Sequence, residues 1–75
     1  MAIFKFIAKN MKTSKAVKVE IYLGGKVRGF TPGTKEGYLI VELSQSGKYD
    51  WYAKKGGVKV DSGSSAGGNI LVAVD

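Results

Sequence analysis

Tyrosine, tryptophan and lysine are the side chains with which this chain could do chemistry. The stretch SGKYDWYAKKGG, residues 46–57, sets three aromatics within four residues, with lysines on both sides and glycines closing its C-terminal end. Flat rings beside cations suit single-stranded nucleic acid, because bases stack on the rings and lysines neutralise phosphates. Tyr22, Phe30, Tyr38 and Tyr52 are candidate stacking residues. The alternative is that the aromatics of this stretch face a core.

Other chemistries find few residues. The chain has no cysteine and no histidine. Disulfides, thiolate or imidazole metal sites, and Ser–His or Cys–His nucleophile pairs therefore cannot be built. Glu20, Glu36, Glu42 and Asp50 form no paired-carboxylate motif. GGK and KKGG lack the Ser/Thr and the helix that a phosphate-binding loop needs. DSGSSAGGN, residues 61–69, carries side-chain oxygens but too few acids for calcium. The sequence thus predicts no catalytic residue, no metal ligand and no cofactor, and the expectation is a non-enzymatic protein.

The elements that must carry the aromatics and cations are strands. Hydrophobicity alternates with period two, and no segment shows a helical stripe. Residues 2–8 place Phe4 and Phe6 on one face and Lys5 on the other. Residues 15–23, KAVKVEIYL, form the clearest strand: Val17, Val19, Ile21 and Leu23 face in, and Lys18, Glu20 and Tyr22 face out. Gly24-Gly25 marks a hairpin, since paired glycines accept positive φ. Residues 26–30 make a short strand on which Phe30 shares the phase of Lys26 and Arg28.

Pro32-Gly33 is a turn, and residues 37–43 continue with Leu39, Val41 and Leu43 in phase. In residues 48–54 the same alternation turns Tyr49, Trp51 and Ala53 inward and leaves Lys48, Asp50, Tyr52 and Lys54 outside. Lys55-Gly56-Gly57 turns the chain into a short strand at residues 58–60. Residues 61–69 read as a flexible Gly/Ser loop, and residues 70–74 as the closing strand. Six or seven short strands at roughly 8–12-residue spacing predict an all-β sandwich or barrel, one domain over residues 1–75.

Twelve basic residues against six acids give a net charge of +6. Residues 1–35 hold eight basic residues and one acid, whereas residues 36–75 hold four basic residues and five acids. Such asymmetry marks either an anion-binding face or lysine-guarded outer strands. No segment reads as a signal peptide or a membrane span. The expected location is the cytoplasm or an assembled particle, unless the chain is excised from a larger secreted protein.

From Val17 onward, VKVEIYLGGKVRGF, GYLIVEL, SGKYDWYA, KKGGVKV and NILVAVD follow one another. This order resembles prealbumin-like β-sandwich modules, namely carboxypeptidase regulatory-like domains and the B-type repeats of bacterial collagen adhesins. Such modules recur as G-x-aromatic-x-aromatic-x-Leu, then G-x-Tyr-x-hydrophobic, then a Lys/Gly corner; Gly37, Gly47, Tyr49 and Lys55-Gly56 stand at these positions, while Leu39 and Val41 replace the usual aromatics. The resemblance implies an Ig-like or prealbumin-like sandwich of antiparallel strands. Some members carry a Lys–Asn isopeptide bond beside a buried acid, and Lys5 or Lys18, with Asn69 and Glu42, would be its residues here. Alternation places Lys18 and Glu42 outside, where the desolvated lysine that the reaction needs is not available.

Two functions follow as expectations. The first is a structural or interaction module, possible also as part of a virion or surface complex, that binds a protein or glycan through an edge strand or through the loops at residues 10–14, 31–36 and 61–69. The second is nucleic-acid binding by a small OB- or SH3-like barrel, since GKVRGF bears a slight similarity to the basic-aromatic strand of cold-shock domains. Lys18, Tyr22, Lys26, Arg28, Phe30, Lys48, Tyr52 and Lys54 are the candidate interaction surface.

Overall fold

A computed structural model of the chain describes residues 1–34 and 37–74. The described residues form seven strands: β1 (Ala2–Asn10), β2 (Glu20–Leu23), β3 (Lys26–Phe30), β4 (Leu39–Leu43), β5 (Tyr49–Lys55), β6 (Val58–Ser65) and β7 (Gly68–Val74). They form two sheets, of order β4-β1-β7 and β3-β2-β5-β6. The fold is a small all-β sandwich. Among the described residues no ladder joins β3 to β4 or β6 to β7, so the sheets do not close into the alternative barrel.

Alternation builds the core. β1 turns Ala2, Phe4, Phe6 and Ala8 inward, β2 turns Ile21 and Leu23, and β7 turns Ile70, Val72 and Val74. Phe6 meets Trp51 edge to face at 6.0 Å, and Phe4 meets Tyr49 in the same manner at 6.0 Å, so aromatic pairs join the two sheets. Trp51 and Ala53 are buried and Tyr49 is half-buried against the cluster, as the phase of residues 48–54 requires. The two paired-glycine turns hold positive φ, at Gly24 (63°) and Gly25 (81°), and at Gly56 (59°) and Gly57 (81°). This backbone matches the twist of a two-residue hairpin.

Three features depart from the sequence expectation. First, residues 15–23 are not one strand. Residues 15–17 pair with the end of β1, through Asn10 N–H to Lys15 O at 2.8 Å and Val17 N–H to Ala8 O at 2.9 Å, whereas β2 begins at Glu20 in the opposite sheet. Thr31, buried to 1% exposure, spans the crossing. Its hydroxyl accepts from Val19 N–H at 2.9 Å and donates to Val17 O at 2.8 Å, and its own N–H donates to Val19 O at 2.9 Å. A strand that changes sheets must leave one ladder before joining the next, and Thr31 satisfies the backbone groups freed in between.

Second, residues 61–69 are not a loop. Asp61 to Ser65 continue β6, and Gly68-Asn69 open β7. Ser62, Gly63 and Ser64 lie opposite Tyr52, Trp51 and Asp50. A Cβ on Gly63 would come within 3.1 Å of the Trp51 ring, so glycine is what lets the indole lie across its partner strand. The segment is polar because it is an exposed outermost strand of its sheet. Third, β1 and β7 run parallel, from Phe4↔Gly68 to Asn10↔Val74, whereas every other pair of strands is antiparallel.

Candidate interaction surfaces

The outer face of the four-stranded sheet carries most of the aromatic and basic residues singled out above. Tyr22 on β2 lies directly opposite Tyr52 on β5, and their rings stack at 4.5 Å with an interplanar angle of 7°. Lys54 Nζ sits 5.3 Å from the Tyr22 centroid and 5.8 Å from that of Tyr52. Lys59 Nζ stands 5.1 Å from the Tyr52 ring. At the sheet's other side Lys18 Nζ lies 5.2 Å over Phe30. The Tyr22 hydroxyl donates to Glu20 Oε1 at 2.6 Å. That hydrogen bond, with partial burial and the nearby Glu20 charge, raises the Tyr22 hydroxyl above the ordinary phenol value.

Lys18, Tyr22, Phe30, Tyr52 and Lys54 are thus brought onto one face. Lys26, Arg28 and Lys48 do not join their ring contacts. Arg28 folds back along the β2–β3 hairpin, where its Nε donates to Leu23 O at 3.1 Å. Lys26 stands at the Gly24-Gly25 turn and Lys48 precedes β5, both exposed. Tyr38 belongs to the other sheet's side, beneath Lys5 Nζ at 5.1 Å. Lys59 is the member of the cluster that sequence reasoning passed over. A bulge between Ala53 and Lys54 sets it opposite Lys54, although its alternation with Val58 and Val60 already marked it as outward.

The Tyr22–Tyr52 pair turns aromatic surface toward the protein itself, whereas Phe30 stays about half exposed near Lys18. Each tyrosine presses one face on the other, lysines stand over the pair, and Glu20 adds negative charge beside it. A nucleobase would have to displace these contacts to stack.

The outer face of the three-stranded sheet is different. Ile3, Lys5 and Ile7 project from β1, Ile40 and Glu42 from β4, and Asn69, Leu71 and Ala73 from β7. Ile3 (43%), Ile40 (50%), Leu71 (52%) and the adjoining Tyr38 (46%) remain about half exposed. The sequence signal was available: residues 2–8, 37–43 and 70–74 are apolar in both phases, the pattern of strands covered on two faces. Lys5 and Asn69 are register partners here, with Glu42 opposite Ile3. All three are exposed, and Lys18 is exposed on the crossing segment before β2, so no lysine of the suggested isopeptide set is withdrawn from water.

The strand edges also differ. β3 is bulged between the partners of Ile21 and Tyr22 and carries Lys26 and Arg28. At β7, Asp61 Oδ2 accepts from Ala73 N–H at 2.9 Å, which caps that edge from β6. β4 pairs with β1 on one side, and among the described residues no strand pairs with its other side. The turn at residues 10–14 is held by Asn10 Oδ1, which accepts from Lys12 N–H at 2.8 Å and Thr13 N–H at 3.1 Å. In the loop at residues 31–36, Lys35 and Glu36 lie outside the described residues. Among the described residues no helix is long and apolar enough to cross a membrane.

Comparison of the chain with family models, with curated proteins and with solved structures finds no match.

Proposed function

We propose that this protein is a non-enzymatic interaction module that joins a protein assembly through its three-stranded sheet. One observation carries the reading. Ile3, Ile40 and Leu71 stand half-exposed on three neighbouring strands, while across the sandwich Tyr22 and Tyr52 are occupied by their own ring and lysine contacts and the half-exposed apolar residues, Val27 and Phe30, sit on the single edge strand β3. Apolar side chains grouped on one face favour a protein partner over a glycan or a nucleic acid, because water is released from aliphatic surface without a phosphate or hydroxyl to recognise. The resemblance to prealbumin-like modules agrees with a role in binding and scaffolding. Asp61 to Ser65 and Gly68-Asn69 belong to strands and not to a loop, which leaves the sheet as the binding element.

The test is site-specific photo-crosslinking in extract from the native source. A photoreactive residue at position 71 is expected to give a discrete protein adduct, and one at position 52 none. Leu71→Lys should abolish capture while changing stability by no more than about 0.5 kcal/mol, as for other exposed positions. Adducts at position 52 alone, or capture indifferent to Leu71→Lys, would move the binding face to the other sheet.

A further inference from the structure

The three-stranded sheet ends in β4, and this edge has none of the guards found elsewhere. β3 has a bulge and two cations, and β7 has the Asp61 cap. β4 runs in unbroken register with β1 over Leu39–Leu43, with apolar residues on both faces and Glu42 as its one charge. An unguarded apolar edge pairs readily with another strand. We propose that the edge of β4 pairs antiparallel with β4 of a second copy, about a two-fold axis through Val41. The inference rests on the reading of the three-stranded sheet as the binding element and names its partner.

The sequence LIVEL is nearly self-complementary under that axis. Val41 meets Val41 of the second copy, Leu39 meets Leu43, and Ile40 meets Glu42. Leu39 and Leu43 face the core side but are only half-buried, because they sit at the open margin of the sandwich. Opposed to one another they cover that margin. Glu42 lies opposite an isoleucine and not another acid, so no like charges face each other.

Other registers are poorer. An axis through Glu42 opposes the two glutamates. An axis between residues sets inward side chains opposite outward ones, which a pleated ladder does not allow. Only the axis through Val41 pairs all five strand residues. Hydrogen bonding across it then satisfies the edge groups that the single copy leaves to water.

The product is a continuous sheet of order β7-β1-β4-β4-β1-β7. Its outer face doubles the patch of Ile3, Ile40 and Leu71, and its two remaining edges are the capped β7 strands. Pairing along one short strand buries less than the ~1,200 Å² of a standard stable interface, so the dimer is a weak, reversible one.

Sedimentation equilibrium and light scattering, run to about 0.5 mM protein, test this, since a dimer with Kd of ~100 µM is well populated there. A concentration-dependent monomer–dimer equilibrium is expected. Ile40→Glu sets one acid opposite Glu42 on each side of the axis and should weaken the dimer about tenfold. Ile40→Lys sets a cation opposite Glu42 and should keep the dimer, with a new sensitivity to salt. Both variants should hold the wild-type far-ultraviolet circular dichroism and Trp51 fluorescence.

A monomer throughout the concentration range overturns the inference. So does equal weakening by Glu and Lys at position 40, which is the signature of face-to-face stacking. A discrete adduct with a different protein at position 71, from a chain that stays monomeric, would overturn the dimer and leave the interaction-module reading standing.

Discussion

The two outer faces of this sandwich are built from the same alternation and differ in where their apolar surface lies: on one edge strand, as Val27 and Phe30, or across three strands. On the four-stranded sheet, Tyr22 and Tyr52 stack on each other under Lys54 and Lys59. On the three-stranded sheet, Ile3, Ile40 and Leu71 are about half exposed with Lys5 among them. The difference shows that aromatic and basic composition does not itself make a binding surface. Rings and cations on adjacent strands satisfy one another, whereas aliphatic side chains gain only by excluding water and remain available to a partner.

The largest expected effect tests the core that both faces share. Trp51→Ala should cost about 3–5 kcal/mol, because Trp51 is buried and meets Phe6 edge to face. Urea unfolding would measure it, and a variant as stable as wild type would mean that the aromatics of residues 46–57 belong to a surface after all. Thr31→Val should cost about 2–3 kcal/mol by the same measurement, since it leaves Val19 N–H and Val17 O without their hydroxyl partner at the crossing between sheets. A neutral result would show that residues 17–19 are free to relax onto one sheet.

Smaller effects probe the polar face. Tyr52→Ala should lose about 1 kcal/mol, the scale of one aromatic pair. At low salt, single-stranded oligonucleotide should leave the fluorescence of the wild-type protein nearly unchanged. A strong, salt-sensitive quench would reverse the comparison and give this face the binding role. The smallest effect is on Tyr22. Its raised pKa means that the Glu20 hydrogen bond supports the fold below the ordinary phenol pKa near 10 and is lost as pH rises through the folded value. Glu20→Gln should therefore move the Tyr22 absorbance titration down toward that ordinary value.

Much of the fold was legible. The phase of residues 2–8, 48–54 and 70–74 placed Phe4, Phe6, Trp51, Ala53, Val72 and Val74 inside, and both paired-glycine turns lie where they were expected. The Ser/Gly segment was not legible as strand, because its side chains carry no apolar signal. Its pairing depends on β5 beside it and on Gly63 admitting the Trp51 ring. The candidate surface was half legible. Lys18, Tyr22, Phe30, Tyr52 and Lys54 share a face, but Arg28 turns to a backbone carbonyl, and the apolar face was missed although Ile3, Ile40 and Leu71 lie in outward phase.

The sequence by itself determined which side of each strand is apolar and where the chain can turn, since pleat and glycine backbone are local properties. Tertiary structure decided which sheet each strand enters, the crossing at residues 17–19, the parallel union of β1 with β7, and the contact of Tyr22 with Tyr52. These depend on segments distant in the chain arriving side by side. The Tyr22–Tyr52 stack on one face and the spread of half-exposed aliphatic residues over three strands of the other follow from that arrangement.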